Sequence, residues 1–446
     1  MARLYETYQQ ALTWELAEGE GKLLPISHTL QNAHINIVID SEGNFKRASV
    51  LEKTQVILPA TESSAGRTAG EAAHPLADKL QYVAADYSSH GGKKESYFTS
   101  YEAQLSAWCE SEFTHPKVQA IHRYIKKGSV ISDLIAEKIV YADDSKQLLT
   151  TWINEVTAEN PLPLLFKVLP KEKAMLDQGN ALVCWSVELE NEPCSDTWTD
   201  ESLHQSWIAF DAKNNIEQEQ LCFVTGKVQP IASNHPAKLR HTGDKAKLVS
   251  ANDKDGFTFR GRFTNSNEAN SIAYEVTQKA HNALRWLISR QAFRNGDQAI
   301  VAWAISGKPI PNPLMDFQSL NLDDFDEIEP TAEPETQAID HSRDLGQSFA
   351  SALQRYIRGY RAQLNPTENI VVMAIDSATP GRMAITYYRD FFAEDYLTHI
   401  EQWHSQLAWW QRVVKEIPQS HGKKPKSMVH WLVSAPAPWS IITTAH

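Results

Sequence analysis

Between Asp316 and Asp340 the chain carries nine acidic residues and not one lysine or arginine, with Pro330 and Pro334 interrupting the run. Charge of one sign repels itself and buries little apolar surface, so such a stretch reads as a connection rather than as part of a core. It separates an N-terminal α+β region, residues 1–308, from an α/β segment, residues 345–446, with 309–344 as acidic linker or loop. A chain of 446 residues is long for one core, and two or three domains are expected. Apolar residues at 42%, with 13 Trp and 14 Tyr, supply what those cores need and exclude a disordered chain.

The charge balance argues first against a polyanionic partner, since the formal net charge is -12. Its distribution reverses the argument locally. From Gly226 to Lys308 there are 13 Lys and Arg against 6 Asp and Glu. Phosphate binding responds to the local field rather than to the sum over the chain, so the basic segment 226–308 is the candidate nucleic-acid-facing region.

Local patterns predict mixed strands with many connecting helices, a multi-domain α+β fold. His34–Asp40 alternates apolar and polar residues, and Ser41-Glu42-Gly43-Asn44 turns it toward a second strand from Phe45. Further strands are expected at Val183–Glu188, Gln220–Val224, Ala299–Ala304, Ile370–Ile375 and Ala384–Tyr388. Helical spacing is read at 3–18, 96–113, 115–124, 129–139, 146–156, 269–293, 345–364 and 393–415. Residues 61–74 and the glycine-lysine stretch Ser88–Lys94 read as loops, the latter flexible. No run of about 18 apolar residues occurs and Met1–Glu6 lacks the apolar stretch of a signal peptide, so the cytoplasm is the expected compartment.

Signatures of catalysis are scarce. The phosphate-cradling G-x-x-x-x-G-K-[ST], the dinucleotide G-x-G-x-x-G and the zinc-protease H-E-x-x-H are all absent. Gly346-Gln347-Ser348-Phe349-Ala350 nearly matches a nucleophile elbow, but it ends in Ala and opens a helix pattern. Cys109, Cys184, Cys194 and Cys222 are too far apart for a C-x-x-C zinc pair and read as buried thiols. Asp253-Lys254-Asp255-Gly256 resembles part of a calcium loop, yet its register would put Arg262 in the twelfth ligand position. No cofactor or metal is expected.

Binding chemistry concentrates in 245–262. Lys245, Lys247, Asn252, Lys254, Arg260 and Arg262 surround a tight turn with Phe257, Phe259 and Phe263 interleaved. Guanidinium groups can donate two hydrogen bonds to phosphate oxygens, and Gly256 and Gly261 would let backbone come close to a ligand. A hairpin with a solvated basic face explains the same composition. The next helix adds Lys279 and Arg285, while Trp286, Leu287 and His281 suit its packed side. Lys93 and Lys94, beside Gly91 and Gly92, could contact phosphates or base edges from a loop, or simply lie on a mobile surface.

Several blocks, in order, resemble the large subunit of the type I-C CRISPR surveillance complex, Cascade, of the CRISPR-associated Csd-type family. They are Leu221-Cys222-Phe223-Val224-Thr225-Gly226, Ile231-Ala232-Ser233-Asn234-His235-Pro236, Ala246 to Phe257 with Arg260-Gly261-Arg262, Gln278 to Leu287, and Ala374 to Ile385. Leu4 to Tyr8 and His74 to Tyr82 also fit. The resemblance implies a non-catalytic subunit that binds guide RNA and recognises the PAM duplex of target double-stranded DNA in antiviral defence. It further implies backbone and guide-processing subunits as partners, with a helicase-nuclease recruited after target binding. Family members usually continue into a C-terminal helical bundle, which this chain is expected to lack. Two alternatives stand beside it: an unrelated interaction scaffold, and a metal-dependent nuclease or guide-RNA-processing enzyme, for which Asp253, Asp255 and His281 are the nearby candidates.

Overall fold

The computed structural model describes residues 1–13, 23–67, 70–157, 161–172, 175–214, 219–241, 243–250, 263, 266–312, 345–379, 381–407, 409–417 and 426–434. The chain forms two compact units. One comprises Met1–Tyr5, Gly21–Trp286 and Pro380–Arg382; the other comprises Glu6–Glu20, Leu287–Thr379 and Met383–His446. Both mix helices with sheet, as an α+β fold requires.

In the first unit the strand His28–Asp40 is central. It pairs antiparallel with Phe45–Pro59 and parallel with Val183–Glu188. Alternation places Ile35, Ile37 and Ile39 on one face, each fully buried. Each such side chain contributes roughly 1.5–3 kcal/mol by leaving water. The hairpin turn is closed by the Asp40 carboxylate, which accepts from the Glu42 N–H (3.0 Å) and the Asn44 N–H (2.8 Å). Gly43 takes φ +72° there, and a Cβ would meet the Ala120 carbonyl oxygen at 2.7 Å, so no other residue fits. The parallel pairing needs a long crossover, and helices Phe98–Glu110, Pro116–Ile125 and Val130–Ala136 lie within it. Their Tyr101, Trp108, Ile121 and Tyr124 join Trp185 and Trp207 in the same core. The polar ends of the rings are satisfied: Trp185 Nε1 and the Tyr101 hydroxyl both donate to the Leu76 carbonyl, at 2.8 and 2.7 Å.

The second unit is built on an antiparallel sheet in the order Arg382–Phe392, Asn369–Thr379, Gln298–Ala304, Phe293–Asn295. Residues on either side of the acidic run thus share one sheet, with Ile370 opposite Ala304 and Ile375 opposite Ala299. Helices Leu345–Gln363 and Ala393–Gln406 cover it through Leu353, Ile357, Tyr396 and Leu397. The near-elbow at Gly346 is a helix start. The acidic run itself lies outside the described residues.

Three local expectations are corrected. Residues 146–156 form no helix: the Leu148 N–H is spent on the His90 carbonyl, the Leu149 N–H on that of Tyr141, and Trp152 packs edge-on against Tyr141 and Phe166. The helix from Ala393 ends at Gln406, and the aromatic and β-branched residues after it form the strand Trp409–Ile417, paired with Lys426–Ser434. The helix expected over 269–293 begins only at Tyr274, because Ser271 and Ile272 give their carbonyls to Phe223 and Ala232. Sequence reading also passed over a whole helix, Glu201–Asn214.

Lys117 shows how this fold treats a buried cation. Its ammonium donates to Asp200 (2.5 Å), Glu192 (2.5 Å) and the Cys194 carbonyl (2.6 Å), with no exposed side-chain surface. Burial alone would raise the Asp200 carboxyl, but hydrogen bonds from Lys117, Ser202 and the Leu203 N–H hold it down at about 2. Removing the cation strands two carboxylates, so Lys117→Met is expected to cost roughly 3–5 kcal/mol in chemical denaturation. Because the folded carboxyl titrates lower than the ordinary value of about 3.9, its stabilisation is complete above that pH. It drains away as pH falls toward about 2. A variant within about 1 kcal/mol of the parent, against that expectation, would contradict the assignment.

Candidate nucleic-acid interface

The residues proposed to face nucleic acid do not share one environment. Asn252, Lys254, Arg260 and Arg262 lie outside the described residues, as do Phe257, Phe259, Gly256 and Gly261. Lys245 is exposed, and Lys279 is tied to Glu275 on its own helix with its ammonium 5.6 Å above the Tyr5 ring.

The glycine-lysine stretch is fastened, not loose. His90 Nδ1 donates to the Lys146 carbonyl (2.8 Å), and Ser132 meets its Nε2 at 3.2 Å. The ring of Tyr87 lies against Gly92 on one side and Gly179 on the other, which is why both lack a Cβ. Lys94 reaches Asn180 (2.8 Å) and Asp177 (3.5 Å) with half of its side chain still exposed, and Lys93 beside it is exposed as well.

Lys247 and Arg285 come together at one cavity of the first unit, and with them Lys238, which sequence reading had not singled out. The cavity, ≈ 140 Å³, opens between the turn His235-Pro236-Ala237-Lys238, the helix residues Gln278, Asn282 and Arg285, and the segment from Glu62 to Gly66. Arg285 reaches it from the helix Tyr274–Gln291. Its Nε donates to the Lys238 carbonyl and its Nη2 to the Ala237 carbonyl, both at 2.9 Å. Those bonds hold Lys238 at φ +61°, a left-handed conformation that costs a non-glycine residue about 1–2 kcal/mol. Asn282 anchors the same helix by donating to the carbonyls of Leu24 (3.0 Å) and Pro25 (3.2 Å).

Electrostatically the cavity is unbalanced. Among the described residues no carboxylate pairs with Lys238 or Arg285. Burial lowers the Arg285 guanidinium to about 10. Burial, then the charges of Arg285 and Arg67, lower the Lys238 ammonium. The one carboxylate lining the cavity, among the described residues, is Glu62, which accepts from Ser233 Oγ (3.0 Å) and the Asn234 N–H. Burial raises its pKa despite those bonds and the charge of Lys247. Lys247 is half-buried, and its N–H donates to the Gly381 carbonyl at 3.2 Å.

His281 is packed beneath this site. Its Nδ1 donates to the Thr277 carbonyl (2.7 Å), and burial drives its pKa down to about 3. His235 stacks on it at 6.3 Å and is likewise kept neutral by burial and by Lys247, at about 4. Among the described residues no three His, Cys, Asp or Glu side chains are grouped to hold a metal ion, and no helix is long and apolar enough to cross a membrane.

The Tyr87 sandwich predicts a specific defect. Gly92→Ala drives a methyl into the ring and is expected to destabilise the first unit by about 1–3 kcal/mol. Hydrogen exchange at residues 88–94 should accelerate with it, and Tyr87→Leu in the same background should restore part of the stability. Exchange at the parent rate would show that the loop does not depend on this packing.

No curated protein matches the chain. A family of CRISPR-associated proteins, Cas_Csd1, does, over residues 4–446. With that match spanning nearly all of its length, the chain belongs to the Cas_Csd1 family of CRISPR-associated proteins.

Proposed function

We propose that the chain is the non-catalytic large subunit of a type I-C Cascade complex, holding guide RNA and recognising the PAM duplex of target DNA. In RNA-guided recognition, base pairing reads the sequence, while protein reads a short flanking motif and grips backbones. Such work needs cations presented to phosphates and no nucleophile. One observation carries the proposal: Lys238, Lys247 and Arg285 line a single cavity with Glu62 as their only lining carboxylate among the described residues. Three other cations of this unit, each with a side chain less than a tenth exposed, have acid partners. Arg67 is paired with Asp78 at 2.7 Å, Arg240 with Asp244 at 2.8 Å, and Lys117 with two acids. Clustered cations left without such partners favour an external polyanion.

The backbone and guide-processing subunits would share the guide, and a helicase-nuclease would join after target binding. On this reading the complex works in the cytoplasm. A nuclease reading would put acid–base or metal chemistry on Asp253, Asp255 and His281. His281 speaks against it, since its ring is enclosed and hydrogen-bonded to its own helix.

Reversing Lys245 and Lys247 to Glu tests the proposal in the assembled complex. Duplex affinity should fall, and the slope of log affinity against log salt should shrink by about one for each phosphate no longer neutralised. Substituting Lys308 and Lys227 to Glu instead should leave the slope nearly unchanged. An unaltered slope in the Lys245/Lys247 variant would remove these residues from the interface. Strand cleavage by the purified chain with magnesium or manganese, abolished by His281→Ala, would favour the nuclease.

A further inference from the structure

The carboxylate of Glu62 is bound as a ligand would be. It is held by Ser233 Oγ and the Asn234 N–H, groups 171 and 172 residues away in the chain, with the Lys247 charge close by. A hydroxyl, a backbone N–H at a turn and an ammonium are the donors that receive a phosphate oxygen. Behind them stand Lys238 and Arg285, whose charges the single carboxylate does not balance. We infer that this cavity is a receptor for one phosphodiester phosphate of a nucleic-acid strand, and that Glu62 is an internal stand-in which the phosphate displaces.

The space agrees. A volume of ≈ 140 Å³ equals about four or five waters at roughly 30 Å³ each, room for a phosphate group and its ester oxygens. Glu62 opens a helix of only four residues, Glu62–Ala65, closed by a Thr61–Ser64 capping box. Ser64 of that turn is buried and bonded to His74 at 3.0 Å, so the displacement asked for is a rotation of the Glu62 side chain, not a shift of the turn. Displacement exchanges one anion for another on the same donors, and the freed carboxylate regains water. Glu62 thereby offsets part of the receptor's positive charge while no strand is bound and sets a threshold against weak anions. The ligand class rests on the nucleic-acid function proposed above; the displacement itself does not.

The test uses the full chain and inorganic phosphate at pH 7.5, titrated calorimetrically, with Glu62→Gln and Lys247→Ala beside the parent. Glu62→Gln keeps shape and hydrogen bonding but removes the competing charge. One phosphate should bind per chain, about tenfold more tightly to Glu62→Gln and about tenfold more weakly to Lys247→Ala, the factor that a charge-assisted hydrogen bond commands. Absence of phosphate binding in all three proteins, or equal affinity of Glu62→Gln and parent, overturns the inference. Guide RNA and duplex binding by the parent, measured in parallel, separates the two ideas. Nucleic acid bound without any phosphate response discards the stand-in and leaves the functional proposal intact, whereas failure of the parent to bind nucleic acid discards that proposal on its own.

Discussion

Like charges gathered in a poorly solvated cavity oppose folding, and the cationic pocket of the first unit exists only because its surroundings insist on it. Arg285 cannot leave, since its helix is fixed by the bonds from Asn282 to Leu24 and Pro25. Once there, the guanidinium clamps two carbonyls of the turn and holds Lys238 in a left-handed conformation. A guanidinium suits this role where an ammonium would not. It stays charged at its lowered pKa of about 10, and its planar fork can serve the turn and still offer donors to a ligand. The free energy invested is small beside that of the core around Trp108, Trp185 and the isoleucine row, which is what allows the fold to tolerate it.

The contrast with Lys117 gives the pocket its meaning. Both sites bury cations, but Lys117 is matched by Asp200, Glu192 and a carbonyl, an arrangement complete in itself. In the pocket the donors outnumber the acceptors, and the one carboxylate present is borrowed from a distant, short helical turn. A closed ion-pair cluster stabilises a fold; an open cluster of one sign invites a partner of the other. On the function proposed above, that partner is a polynucleotide.

Elements defined by local pattern were legible in the sequence. The alternation through Ile35, Ile37 and Ile39 announced the central hairpin, and Asp40 to Asn44 its turn. The strands expected at Val183–Glu188 and Ala299–Ala304 followed from short apolar runs, and the helix expected over 345–364 from its one apolar face; the structure has them at Val183–Glu188, Gln298–Ala304 and Leu345–Gln363. Errors arose where distant contacts overrode local spacing. Residues 146–156 have a helical apolar pattern, but their N–H groups and Trp152 are committed elsewhere. For the site, charge density directed attention to Lys247 and Arg285, which the fold brings to one cavity. It gave no sign that Lys94 and Lys279 face acids 83 and 4 residues away, Asp177 and Glu275. Lys238 and Glu62 were invisible: one matters because of a backbone conformation imposed by Arg285, the other because folding brings it to Ser233 and Asn234.

The most direct measurement is a structure of the full chain with a bound nucleic-acid strand. A backbone phosphate within hydrogen-bond distance of Lys247 and Arg285, with the Glu62 carboxylate gone from the Asn234 N–H, is the predicted result. A strand that tracks across another surface while Glu62 keeps its seat would contradict the account.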